Sequence, residues 1–308
     1  MPDAPQPRRA LLVFNENSRQ GGEASDAALE VMERGGIQLQ REICDGPDEL
    51  AAAIRKTGRS VNLVVLGGGD GTLNSAAHAL METGLPLGIL PLGTANDLAR
   101  TLKIPPDPAA AAEIIVAGHI RRIDLGEVNG KPFFNVASLG LSAGMTRELT
   151  HDVKQRWGKL GYALATFRAL AQTRPFFAEI RSGGEVLRVR TIQITIGNGR
   201  HYGGGMTVEE DAEIDDGCLN LYSLEFGNLW KLALVYPAFR KGRHGVWQEV
   251  RTMRCSEVEI RTNRPRSVNT DGEITTKTPA HFRVMRQAVS VITPIASTLA
   301  PDAQISSA

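Results

Sequence analysis

The stretch VNLVVLGGGDGTLNSAAHAL, residues 61–80, constrains the fold of this 308-residue chain more than any other. Residues 63–66 form a short apolar run of strand-forming composition. Gly67, Gly68, Gly69, Asp70 and Gly71 follow, and from Thr72 the pattern turns helical, with Leu73, Ala76, Ala77 and Leu80 at three-to-four spacing. Strand, glycine loop and helix start is a layout that gathers phosphate. Glycine permits positive φ and close backbone approach, and the free N–H groups of a helix start attract anions. Asp70 repels a phosphate unless a cation lies between them, which points to Mg²⁺ chemistry. The loop has no Lys-Ser or Lys-Thr and is not a P-loop. Position 72 is Thr, so the dinucleotide-binding GxGxxG spacing fails as well. A glycine-rich loop on its own is more often a tight turn than a nucleotide site.

A second segment changes that balance. PLGILPLGTANDLARTL, residues 86–102, is another apolar strand leading through a Gly-Thr turn into a helix. It predicts that Gly93 and Thr94 are aimed at the loop of Gly67–Thr72. The rest of the first half reads as strands near 9–14, 37–42, 62–66 and 87–90. These alternate with helices near 23–34, 48–56 (Asp48 as N-cap) and 107–117 (Pro108 in the first turn). Strands alternating with helices imply a doubly wound, mostly parallel sheet with ligands at the carboxyl ends of its strands.

Near residue 120 the rhythm changes. Residues 121–128 and 131–138 flank Asn129-Gly130, a hairpin signal, and 176–181 and 185–196 flank Gly183-Gly184. Further short strands are predicted at 219–224, 250–254, 257–262, 267–270, 281–285 and 289–292, with helices at 150–172 and 228–239. Such spacing argues for an antiparallel sandwich. Taken alone, Asp124 reads as a solvated strand residue, and EIDDGCLNL (213–221) and NTDGE (269–273) read as β-turns.

Bulk properties exclude several classes. Net charge is +1, giving no electrostatic case for nucleic acid. Three scattered cysteines, Cys44, Cys218 and Cys255, without CxxC, indicate neither a disulfide framework nor a zinc site. No stretch approaches the roughly 20 apolar residues of a membrane span, and the five apolar residues after Arg8-Arg9 are too few for a secretion signal. The expected location is the cytoplasm.

GGGDGT followed by LPLGTANDLAR resembles the catalytic domain of diacylglycerol and sphingosine kinases, most closely the bacterial lipid kinase branch. GGDGT alone is shared with NAD kinases and phosphofructokinases, whereas GTANDLA points to lipid kinases. The resemblance extends over nearly the whole chain. It implies an α/β nucleotide-binding domain over 1–127, completed by 293–308, and a β-sandwich lipid-substrate domain over 128–292. It implies ATP contacts from Asn15, Ser18 and Arg19, although Glu16 replaces the family's proline in that turn. Further ATP contacts would come from Gly67, Gly68, Gly69, Asp70, Gly71, Thr72, Gly93, Thr94 and Asn96. Where the family places a nucleotide-contacting Thr or Ser, this chain has Ile43 and Cys44, so nothing is carried over there. Asp124 matches an Ile-Asp-Leu pattern of the family. A structural Mg²⁺ would take the Asp216 carboxylate and the backbone carbonyls of Glu213 and Cys218. Glu273 would accept the proton of the lipid hydroxyl, with Asp271 as the rival base, and Asp70 and Asp97 would complete the catalytic set. The glycine loops and Asp271/Glu273 would face each other across a cleft.

The function so implied is ATP- and Mg²⁺-dependent phosphorylation of a lipid hydroxyl on diacylglycerol, phosphatidylglycerol or a sphingoid or ceramide-type lipid. The alternatives are an NAD kinase-like enzyme and a non-catalytic nucleotide-binding protein. A lipid substrate would be reached by transient contact with the inner face of the membrane. Lys154, Arg156 and Lys159 near Trp157 and Tyr162 suit an anionic surface, although a solvated helix with one core face explains them too. No nucleic-acid partner is expected, and a homodimer stays open.

Overall fold

A computed structural model describes residues 8–14, 23–44, 46–140, 174–198, 201–202, 206–207, 213–225 and 250–295. The chain divides into two compact units, Met1–Arg122 with Val289–Ala308, and Ile123–Ala288.

The first unit is built on strands β1 (Arg9–Phe14), β2 (Gln38–Ile43), β3 (Leu63–Gly68) and β4 (Leu87–Pro91). They pair in parallel in the order β2-β1-β3-β4, and Val291 of the last strand lies parallel to Leu87. β3 and β4 are buried along their whole length, as continuous apolar runs in a two-sided parallel sheet must be. Leu11, Leu12, Val64, Val65, Leu66, Leu87 and Leu90 are fully buried, each worth about 1.5–3 kcal/mol over exposure. The helices are α1 (Glu23–Arg34), α2 (Pro47–Thr57), α3 (Asp70–Thr83), α4 (Asp97–Thr101) and α5 (Pro108–Ala117), with α1 packed on α5 and α2 on α3. β1 is followed by β2 on one side and has β3 on the other, so the strand order reverses between β1 and β3. Ligands of open α/β sheets bind at such a point, here beyond Phe14 and its register partner Gly67.

One local expectation changes. Asp48 is not the cap of α2. Gly46 holds that position without a side-chain bond and Pro47 opens the helix, leaving Asp48 in the first turn, where its charge suits the helix dipole. Asp107 does cap α5, accepting the N–H of Ala110 at 2.8 Å.

The second unit is a sandwich. Its strands are β5 (Ile120–Val128, shared with the first unit), β6 (Lys131–Phe133), β7 (Val136–Gly140), β8 (Phe176–Ser182), β9 (Glu185–Thr191), β10 (Gln193–Gly197), β11 (His201–Tyr202), β12 (Met206–Thr207), β13 (Leu219–Leu224), β14 (Val250–Cys255), β15 (Glu257–Thr262), β16 (Ser267–Thr270), β17 (Glu273–Lys277) and β18 (Ala280–Ile292). One antiparallel layer runs β9-β8-β15-β18, with β5 beside β18 and β6. The other runs β14-β13-β10-β7-β16-β17. Their facing apolar residues, among them Phe133, Leu139, Ile180, Ile196, Leu221, Ile260 and Phe282, form one core.

Asn129-Gly130, Gly183-Gly184 and Asp271-Gly272 each have φ > 0 at both positions, the requirement of the two-residue type I′ hairpin. The strands expected at 131–138 and 185–196 are each broken in two, at Phe134-Asn135 and at Ile192, where the chain switches layers. Residues 281–285 and 289–292, expected as separate strands, belong to the single strand β18. β17 was not foreseen, because EITTK is polar and edge-exposed. The helices expected at 150–172 and 228–239 lie outside the described residues.

Candidate active site

The two glycine motifs meet inside the first unit. β3 runs on through Gly68, and α3 begins at Asp70 rather than Thr72, with Gly69 in extended conformation at the cap position (φ −104°). No glycine of 67–71 takes a positive φ; the loop needs glycine for close approach. A Cβ on Gly67 would lie 2.3 Å from the Phe14 ring, and one on Gly68 2.6 Å from Thr72 Oγ1. A Cβ on Gly93 would stand 2.5 Å from the Gly69 Cα, and one on Gly69 3.2 Å from the Gly93 Cα. The backbones of the two motifs therefore touch where neither has a side chain.

Polar groups lock this contact. Leu92 N–H donates to the Gly68 carbonyl at 3.0 Å. Asn96 sits in the left-handed region (φ 50°), which asparagine tolerates. Its Oδ1 accepts the Gly93 N–H at 3.0 Å, and its Nδ2 donates to the carbonyls of Gly93 and Pro91. The Asp70 carboxylate accepts the N–H groups of Asp97 (3.1 Å) and Leu98 (3.0 Å). Asp70 thus holds the start of α4, a task its local sequence does not announce, and the buried Asp97 is its backbone partner. Gly71 and Thr72 lie half-buried in the first turn of α3, and Thr94 is exposed. Leu73 is the first residue of α3 to donate back, to Gly69, so the N–H groups before it point out of the helix as orphan donors. Asn15, Ser18 and Arg19 lie outside the described residues.

In the second unit the two carboxylates of NTDGE part company. Asp271 Oδ2 accepts the N–H of Phe134 at 2.7 Å, and its Oδ1 those of Asn135 and Val136, both at 3.0 Å. It anchors the bend between β6 and β7. Glu273 is exposed, and among the described residues its carboxylate has no hydrogen-bond partner. Asp271 (φ 47°) and Gly272 (φ 99°) form the turn itself, so Asp271 and Glu273 do not share one face of an extended strand.

The 213–218 turn rests on Asp124, which is 1% exposed and not solvated. Its Oδ2 accepts the Gly217 N–H at 2.7 Å, its Oδ1 the Gln287 N–H at 2.6 Å, and its own N–H donates to the Ile214 carbonyl. An aspartate between Ile123 and Leu125 in a strand was the available signal, since buried charge must be hydrogen-bonded. One carboxylate and the carbonyls of Glu213 and Cys218 suit a hard cation in kind. However, Asp216 Oδ1 accepts the Cys218 N–H at 2.9 Å and Oδ2 the Arg254 guanidinium at 2.7 Å. A cation would take Asp216 by sharing it with Arg254 or displacing it. Among the described residues no three His, Cys, Asp or Glu side chains form a metal-holding group. Cys255 stays a thiol, because burial pushes it up to about 11.

Residues 9–128 match the family described as the diacylglycerol kinase catalytic domain, and residues 135–293 match the YegS C-terminal NAD kinase beta sandwich-like domain. The chain belongs to the diacylglycerol kinase catalytic-domain family. A Staphylococcus saprophyticus relative called diacylglycerol kinase is 28% identical over 294 residues, spanning 93% of this chain and 96% of that protein. One from Staphylococcus epidermidis, of the same name, is 27% identical over 297 residues, spanning 93% and 92%. A solved Bacillus anthracis structure described as a diacylglycerol kinase shares the fold, with a TM-score of 0.80, 23% identity, and 94% of this chain and 99% of that one covered. This kinase family combines an α/β domain carrying a mostly parallel sheet with an antiparallel sandwich, as found here. Among the described residues no helix is long and apolar enough to cross a membrane.

Proposed function

We propose that this kinase transfers the γ-phosphate of ATP to a hydroxyl of a membrane lipid, a glycerolipid such as diacylglycerol or phosphatidylglycerol, or a sphingoid-type amphiphile. The observation that carries the reading is the Gly69–Gly93 contact, which leaves side-chain-free backbone beside the unclaimed N–H groups at the start of the 14-residue α3. Backbone donors without side chains accept a triphosphate closely. Nucleotide binding is assigned to residues 1–127, completed by 293–308, with Gly67–Thr72, Gly93, Thr94 and Asn96 as the cradle and Asn15, Ser18 and Arg19 as further contacts. Acceptor binding is assigned to residues 128–292.

Mg²⁺, when bound, would neutralise phosphate charge, with Asp70 and Asp97 nearest the cradle in sequence, and a second ion would be held by Asp216 with the carbonyls of Glu213 and Cys218. Phosphoryl transfer asks little covalent chemistry of protein; it asks for position and charge. The acceptor oxygen forms its bond to phosphorus as the bridging bond to ADP breaks. The hydroxyl proton passes late to Glu273, whose carboxylate has no competing partner among the described residues. Asp271, saturated by three N–H groups, holds the turn that presents Glu273. Catalysis at the inner face of the membrane, on a protein that joins it transiently, follows from a lipid acceptor.

The test is incubation with labelled ATP and a total lipid extract, followed by mass identification of the product. One phosphorylated lipid is expected. Phosphate incorporated into NAD, or into nothing, would refute the proposal.

A further inference from the structure

One end of the sandwich in the second unit gathers cations. Arg174 leads into β8, Arg190 lies near the end of β9, Arg264 and Arg266 sit between β15 and β16, and Lys277 ends β17. The strand register brings these segments together. Phe177 stands opposite Arg190, Ala178 opposite Thr262, and Ser267 opposite Lys277. Hydrogen bonds fix the arginine loop in place. Thr262 Oγ1 donates to the Arg264 carbonyl at 2.8 Å, the Arg266 N–H donates to Thr278 Oγ1 at 2.9 Å, and the Thr278 N–H donates to the Arg266 carbonyl at 2.9 Å. Residues 174–177, 190–193, 262–267 and 277–279 together hold five cations and no carboxylate. The acids of the adjoining rows are already paired, Glu179 with Arg181 and Arg188, Glu259 with Arg261, and Glu225 with Arg251. Arg174, Arg190, Arg264 and Lys277 are exposed.

Two further details point outward from this end. Phe177 is 62% exposed, a bare aromatic ring beside Arg190. Arg266 is half-buried, with its guanidinium 3.9 Å from the centre of the buried Phe176 ring. Its buried Nε has no hydrogen-bond partner among the described residues, and burial lowers its pKa from the ordinary arginine value. A cation that gives up water without gaining a carboxylate is costly. An anion arriving from outside the fold offsets that cost, and the ring beneath leaves the outer side of the guanidinium to receive it.

We propose that this end of the sandwich docks on an anionic phospholipid bilayer, with Arg174, Arg190, Arg264, Arg266 and Lys277 over headgroup phosphates and Phe177 entering the headgroup layer. The proposal takes its purpose from the lipid kinase reading above, since docking concentrates the enzyme where its acceptor lies. The shape of the patch favours a bilayer. Neighbouring strands lie about 4.8 Å apart and the two layers about 10 Å apart, so cations drawn from both layers form a two-dimensional array. A bilayer presents phosphates in two dimensions and offers an exposed aromatic ring an apolar layer just beneath them. An acidic peptide presents its charges along a line and has no such layer.

The test is cosedimentation of the full chain, without ATP, with vesicles of phosphatidylcholine alone or mixed with phosphatidylserine, an anionic lipid outside the proposed acceptors. The wild type should bind the mixed vesicles and not the neutral ones. Ionic strength of about 1 M, where the screening length falls to about 3 Å, should release it. Arg190→Gln/Arg264→Gln should bind about 25-fold more weakly, near fivefold for each cation lost, with an unchanged melting temperature. Phe177→Ser should weaken binding and leave its salt dependence as it was. Lys56→Gln/Arg59→Gln, an equal loss of charge in the first unit, should bind like wild type. If the first double variant does not fold, Arg174→Gln/Lys277→Gln must show the same loss. Wild-type affinity in the folded patch variants overturns the proposal, as does equal binding to neutral vesicles. Tighter binding of soluble polyglutamate than of mixed vesicles, at equal accessible charge, assigns the end to an acidic polypeptide and overturns it too. Phosphorylation is measured alongside. Patch-dependent docking with no phosphorylated lipid removes the kinase reading and leaves the surface standing, whereas lipid phosphorylation with patch-independent docking removes the surface alone.

Discussion

Asp271 and Glu273 stand two residues apart and should fail in opposite ways when each loses its charge. The two oxygens of Asp271 accept three backbone N–H groups. Asp271→Asn turns one oxygen into an NH₂, so whichever way the amide sits, at least one donor from 134–136 faces another donor. An unpaired buried donor costs about 1–3 kcal/mol; with the repulsion added, roughly 2–3 kcal/mol is expected. At the 2–4 °C per kcal/mol typical of domains this size, the variant melts roughly 5–10 °C low. Glu273→Gln removes a charge that meets nothing among the described residues, so melting should be unchanged within the roughly 0.5 kcal/mol of an ordinary surface substitution. Its single-turnover phosphoryl transfer should fall about 10²–10⁴-fold, the range for loss of a general base. Calorimetry and rapid-quench transfer on the two proteins, at a temperature where both are folded, check this directly. An Asp271→Asn protein that melts like wild type refutes the structural assignment. A Glu273→Gln protein with normal transfer, while Asp271→Asn has none, moves the base to Asp271.

Gly93→Ala places a methyl 2.5 Å from the Gly69 Cα, so ATP affinity by titration calorimetry should fall at least about tenfold in a folded protein; unchanged affinity would take this contact out of the nucleotide site. Arg254→Ala frees one oxygen of Asp216, so added Mg²⁺ should raise its melting temperature more than that of wild type. Equal shifts would mean that arginine and cation do not compete. Cys255, pushed up to about 11 by burial, is a thiol at neutral pH, since a raised pKa favours the protonated form below it. Its alkylation at pH 8 should run about 100-fold slower than that of an ordinary cysteine with a pKa near 8.5 and rise about tenfold per pH unit towards 11; labelling as fast as Cys44 would contradict that burial.

The turns were legible because their chemistry is local. Asn129-Gly130 and Gly183-Gly184 mark hairpins through φ alone, and the glycines at 67–69 and 93 marked a close approach. The interruptions at Phe134-Asn135 and Ile192 were not legible, because distant groups cause them. A carboxylate 136 residues away takes the N–H of Asn135, and Ile192 N–H donates to the Leu224 carbonyl. Asp124 misled for the same reason. Its partners Gly217 and Gln287 lie 93 and 163 residues away, and no window around residue 124 contains them. Its motif alone makes Asp70 a charge facing phosphate, yet both its oxygens serve the backbone of the second motif. The sequence placed the two motifs near each other, and the carboxylate that joins them supplies the reason.

The unequal anchoring of residues 271 and 273 also bears on how such a chain changes over generations. A substitution at Asp271 would be weeded out as a folding defect, whatever the chemistry required. A substitution at Glu273 costs the fold nothing and leaves the Gly69–Gly93 cradle untouched. On the proposed roles of Glu273 and of that cradle, one nucleotide change in its codon would yield a stable, nucleotide-binding protein that no longer transfers phosphate. Silent descendants of this kind would keep every glycine and every buried aspartate described above, and would be told from the working enzyme by a single exposed side chain.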